Sequence, residues 1–151
     1  KRIFAILDFI TSQFLQAPAF HRRLLEAFGS LDSTQQVQRS ITTSLSHEIV
    51  QELDIMQARN ELESWVDTQL LARQVTTAFI SSTIVWGSGD IKENQLTAAV
   101  RYGTGLLLAA VVTGNNRLPI EQRVKAAQEQ LGDLQKTSSK KKQDQDKLQA
   151  V

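Results

Sequence analysis

Cysteine is absent from the 151 residues, which excludes a disulfide framework, a thiolate nucleophile and cysteine-bound zinc, and fits a cytoplasmic protein. A dominant charge is missing too. Lys and Arg total 17 against 16 Asp and Glu, a formal net charge of +1, so no global field draws the chain to nucleic acid. Part of the basic excess is local: residues 137–151 hold four lysines and two aspartates, and the remainder carries a formal charge of −1. Long apolar runs are lacking. The longest, Leu106 to Val112, falls far short of the ~20 residues that span a bilayer, so no membrane partner is expected. No signal peptide is visible, and the chain opens in a helical pattern without an initiator methionine, as a fragment would. Neither strand alternation nor a fixed-period repeat occurs, so the fold class expected is all-α, a bundle of about six helices, in one domain over 1–136. From Lys136 the composition turns to Lys, Gln, Ser and Asp, which cannot bury enough apolar area to offset its ordering entropy; 137–151 is expected to be a flexible tail.

What is present is helical periodicity. Ile3, Phe4, Ile6, Leu7, Ile10, Phe14 and Leu15 give a first, largely buried helix that stops at Ala17-Pro18, because the residue before proline leaves the helical region and proline suits the next first turn. Phe20, Leu24, Leu25 and Phe28 face a second short helix ended by Gly29, with Arg22, Arg23 and Glu26 outward. Asp32 or Ser33 caps a long third helix, whose face is Val37, Ile41, Leu45, Ile49, Leu53 and Met56. Asn60 takes the left-handed C-cap position, and Asp67 has the chemistry of the next N-cap. A fifth helix opens at Asp90 or Ile91 and closes at Gly114-Asn115-Asn116; Pro119 starts a last one with Ile120, Val124, Ala127, Leu131 and Leu134 on one face.

The fourth and fifth helices, over 67–86 and 92–113, carry apolar or small residues on two faces. In the fourth, Leu71, Val75, Ala78, Ser82 and Val85 share a core sector, and Arg73, Thr77, Ile80 and Ile84 lie opposite. In the fifth, one stripe is Leu96, Val100, Gly103, Leu107, Ala110 and Val111; Ala98, Tyr102, Gly105, Ala109 and Val112 supply the other. A helix in a small monomeric bundle needs one apolar stripe, so a second one asks for a second partner. The expected partner is a copy of the chain, in a self-associating helical domain. The plainer alternative is a central helix surrounded by its own chain.

Certain residues resemble a known family. Gln57 to Ala72, with Glu61-Leu62 and Asp67, Leu70 and Ala72, is similar to the connector of TetR-family transcriptional regulators, where a long helix ends in a small G-E-L turn before a D-x-x-L-x-A helix start; here Asn60 replaces the usual glycine. Phe79 to Gly89, Leu96 to Gly114, and the helix, proline, helix step of Phe14 to Leu24 resemble the same family, so the likeness spans about Ile3 to Asn115. The resemblance implies an effector-binding and dimerisation domain, in which the fourth and fifth helices of each subunit form a dimeric four-helix interface. No helix-turn-helix precedes Lys1, so DNA would be a partner only through a missing N-terminal part, in a parent protein such as a repressor.

An effector pocket needs apolar walls and a few polar anchors. Phe4, Phe9, Phe14, Phe20, Phe28, Leu45, Met56, Trp65 and Phe79 are the bulky candidates, with Gln13, His47 and Gln74 as polar ones, for a small apolar or amphipathic molecule; ordinary core packing is the alternative for each aromatic. Catalytic and metal residues are not assigned, and no cofactor is implied. His21 and His47 lack a second ligand at i+3 or i+4, and His21 is expected to be exposed. The clustered Ser and Thr lack a nucleophile elbow, and Tyr102-Gly103-Thr104-Gly105 lies inside a helical pattern without the strand and lysine of a phosphate loop. Lys140 to Lys142 are three lysines without interleaved aromatics, more a solubilising tail than a phosphate contact. The competing function is a helical structural or adaptor protein that binds a protein partner without a small ligand; an enzyme is not expected.

Overall fold

Helices follow one another with short connections in a computed structural model of the chain, which describes residues 2–28 and 32–132. They are α1 (Arg2–Gln16), α2 (Pro18–Phe28), α3 (Asp32–Ala58), α4 (Thr68–Gly87) and α5 (Glu93–Val111); a single 3-10 turn, Gly114–Asn116, leads into α6 over residues 117–132. No strand occurs among the described residues, only an isolated bridge between Leu62 and Val112. The all-α expectation is met. The tail over 137–151, Gly29 and the side chains of Phe28, Val37 and Ile41 lie outside what is described.

Local chemistry sets the breaks. Asn60 has φ 55°, and the end of α3 is closed by Asn60 N–H on Gln57 O (3.0 Å) and Glu61 N–H on Met56 O (2.9 Å), the paired bonds of a left-handed helix stop. Gly89, φ 87°, does the same for α4 through Trp86 O and Val85 O. Asp67 caps α4, its Oδ1 accepting from Leu70 N–H at 2.9 Å. The fifth helix opens later than expected. It starts at Glu93 rather than Asp90 or Ile91, because Gln95 Oε1 accepts from the Lys92 N–H (2.7 Å) and so satisfies the backbone one turn further on. The last helix opens at 117, with Pro119 tolerated in its first turn.

α4 lies at the centre, packed against α2, α3 and α5, while α1 crosses α5 and α3. The core joins Ile3, Phe4 and Leu7 of α1, Leu45, Ile49 and Leu53 of α3, Leu71, Ala72, Val75, Phe79 and Trp86 of α4, and Leu96, Val100, Leu108 and Val111 of α5. Two expected core positions are corrected. Val85 and Ala110 face solvent, and Trp86 is fully buried where Val85 was expected. The buried arc of α4 is rotated because it admits Thr76 and Thr83, whose hydroxyls donate to Ala72 O and Ile80 O at 2.8 Å and so enter the core without an unmet donor.

Candidate functional site

The outward side of the α4–α5 pair is the larger candidate surface. Leu70, Ile84 and Leu106 are 55%, 51% and 47% exposed, with Thr77 and Arg73 exposed beside them and Ile80, Tyr102 and Ala109 half-buried. Helices are brought close where Gly103 faces Ala78, at a spacing where an added Cβ would lie 3.6 Å from the Ala78 Cβ. Arg73 is the sole charge on α4, and α5 carries only Glu93 at its first turn and Arg101, which turns aside to Asp8 of α1. A face of two helices whose one charge is Arg73, in no ion pair among the described residues, is unlike an ordinary solvated surface.

Three residues assigned to that face are corrected. Ala98 is fully buried by its own chain; Gly105 sits under α6 and α1, where a Cβ would meet Val124 Cγ2 at 2.5 Å and Phe4 Cζ at 3.8 Å; and Val112 is buried beside Leu62 in the backbone bridge. Gly105 leaves room for α1 and α6 to approach, and Val112 packs beside the connector. Periodicity could not separate that second internal contact from an external one.

The twelve effector candidates do not gather round one cavity. Phe4, Leu45 and Phe79 are core residues, and Phe14 packs edge-on against Phe79 (ring centroids 6.3 Å apart) and Trp86 (6.2 Å). Phe9, Phe20, Gln13, His47 and Gln74 face outward, and the Phe28 side chain is not described. His47 Nε2 lies 3.0 Å from Gln51 Nε2 on the same helix. Met56 lines a cleft of about 420 Å³ with Arg2, Ile3, Glu52, Ile55, Arg59, Glu61 and Asn116, where Arg2 pairs with Glu52 at 3.2 Å. Trp65, 72% exposed, stands in a separate open groove of about 720 Å³ between the end of α3 and the start of α4.

Sequence reasoning missed Trp86 as a partner of Phe14; its position one helical step beyond Phe79 and Thr83 carried the signal. His21, expected outside, is half-buried, its ring between Phe14 (4.9 Å) and Phe20 (5.3 Å) and its Nδ1 3.0 Å from Ala17 O. The ring fills the step that Pro18 makes between α1 and α2. Arg22 lies over the Trp86 ring at 5.0 Å, a cation against an indole face.

Among the described residues no three His, Cys, Asp or Glu side chains gather as a metal-holding group, and no helix is long and apolar enough to cross a membrane. No known protein family, curated protein or solved structure matches the chain.

Proposed function

We propose that this chain is the regulatory domain of a TetR-like transcriptional regulator, pairing with a second copy through the outward side of α4 and α5 and binding a small apolar or amphipathic effector. The carrying observation is that side: Leu70, Ile84 and Leu106 exposed along two adjacent helices whose one outward charge is Arg73. Fully burying a leucine- or isoleucine-sized side chain contributes about 1.5–3 kcal/mol, so these half-exposed residues would contribute roughly half of that each. Isologous pairing places the same patch on both copies and so doubles that gain. The cleft at Met56, about 420 Å³, lies within the ordinary range of small-ligand sites, and its mix of Ile3, Ile55 and Met56 with Arg59 and Glu61 suits an amphipathic molecule. An effector acts by its differential affinity for two conformations, and DNA enters only through a part of a parent protein outside this chain.

Sedimentation of the unaltered chain at tens of micromolar, with the double variant Ile84→Glu and Leu106→Glu beside it, tests the pairing. A dimer that the double variant dissociates without loss of helicity is expected. A monomeric parent chain overturns it.

The second reading, an adaptor that binds protein and no small ligand, is favoured by the packing of Phe14 against both Phe79 and Trp86, which fills the core rather than surrounding a void. Thermal shift against a panel of small amphipathic compounds separates the two. Stabilisation lost in Met56→Glu supports the effector, and a dimer insensitive to the whole panel supports the adaptor.

A further inference from the structure

An exposed indole is costly to hold in water, since an aromatic of that size buries 150–250 Å² at a typical interface. Trp65 is 72% exposed, yet the connector that carries it is firmly tied. Glu63 N–H donates to Val111 O at 2.8 Å, Thr113 N–H to Glu61 O at 3.0 Å, the Thr113 hydroxyl to Asn60 O at 2.8 Å and Val66 N–H to Glu63 O at 3.1 Å, while Leu62 is buried. The ring therefore stands out from a braced backbone, with its ordering entropy already spent.

The groove around it presents acceptors. Asp54 Oδ1 accepts from the Thr68 hydroxyl at 2.6 Å and Asp67 Oδ1 from Leu70 N–H at 2.9 Å, and the second oxygen of each carboxylate accepts no hydrogen bond among the described residues. Among the described residues neither aspartate is in an ion pair. From Asn60 to Ala72 the chain holds Glu61, Glu63 and Asp67 and no lysine or arginine.

We propose that this groove docks a basic segment of a partner protein, with one of its arginines laid on the Trp65 indole and its guanidinium N–H groups given to the Asp54 and Asp67 carboxylates. Arginine fits better than lysine. Its planar fork offers five donors to acceptors spread around a ring face, and that plane stacks on an indole, whereas an ammonium is a compact, strongly hydrated point charge. Interfaces draw much of their energy from Trp and Arg anchors of this kind. The groove abuts the outward side of α4 at Leu70 but shares no lining residue with it, and docking here does not depend on self-association.

The probe is a blocked pentapeptide with two arginines flanking a leucine, beside the same peptide with citrulline, lysine or glutamate in place of arginine. The readout is the pair of tryptophan indole cross-peaks in a proton–nitrogen NMR spectrum, assigned by loss of one in Trp65→Phe. The arginine peptide is expected to move the Trp65 peak and leave that of the buried Trp86 in place, with binding about fivefold or more tighter than the citrulline peptide, in line with charge-assisted bonds. Asp54→Asn with Asp67→Asn should weaken it by a similar factor; asparagine still caps α4 and still accepts from Thr68, so the fold is kept. Equal response to arginine and citrulline peptides, or none to either, overturns the proposal. So does a Trp65→Ala chain whose sedimentation changes without any peptide, because the indole would then belong to a contact between copies.

Discussion

Asp8 and Arg101 meet fork to fork: Arg101 Nε donates to Oδ1 and Nη2 to Oδ2, both at 2.9 Å, tying α1 to α5. The hydrogen bond to Asp8, with its charge, outweighs burial and raises the Arg101 pKa above the ordinary arginine value. A raised folded-state value means that the contribution is complete below the unfolded value and is lost only as pH climbs through the folded one. The guanidinium thus stays charged across the neutral range, and the pair carries no arginine-linked pH dependence there.

Its loss should be felt in stability. Arg101→Met and Asp8→Asn are each expected to lower unfolding free energy by about 1 kcal/mol in urea titrations, held to that size because the side chains are 40% and 29% exposed and screened by water. The coupling from the double-mutant cycle should shrink as salt is added. A coupling that is zero at low salt would show that the two helices hold their places by apolar packing alone.

Two glycines of α5 should respond in opposite directions. At Gly103 an added Cβ makes ordinary contact with Ala78, so Gly103→Ala should stabilise by up to about 1 kcal/mol through helix propensity. At Gly105 the same methyl meets Val124 Cγ2 at 2.5 Å, so Gly105→Ala should destabilise, with partial rescue by Val124→Ala. Thermal melts of the three variants check the signs.

Asn60→Gly should raise stability by about 0.5–1 kcal/mol, because φ 55° is reached by asparagine at a cost that glycine does not meet. Chemical denaturation measures it. The hydrogen bond from Thr113 to the carbonyl of this residue survives the change.

The indole N–H of Trp86 is buried with no acceptor among the described residues. Trp86→Phe removes that unmet donor along with some packing, so the two effects offset and the net change should stay within about 1 kcal/mol, whereas Trp86→Ala should cost about 3–5 kcal/mol. Calorimetry on the two variants distinguishes a packing role from a hydrogen-bonding one.

Helix breaks were legible in the sequence because each has its own local chemistry: the residue before Pro18, the left-handed Asn60, the Asp67 carboxylate facing a free N–H. The rotation of α4 was not, since it depends on Thr76 and Thr83 satisfying their hydroxyls within their own helix, which hydropathy counts as polar. The outer face was legible in part. Ile84 and Thr77 are outside as expected, but a small residue such as Ala98 or Gly105 reads alike whether a symmetry mate or the chain's own α1 and α6 covers it. The effector candidates were chosen by size, and size does not tell a filled core from a lined void. Phe14 against Phe79 is the filled case.

The hydrogen bonds between 60–63 and 111–113 fasten the start of one helical hairpin to its finish, so the stretch from Asn60 to Thr113 is a closed circuit. A nick at Ser88 or Gly89, in the exposed turn opposite that clasp, would leave both halves held at their far ends, and the protein should tolerate cleavage or insertion there better than at Glu63.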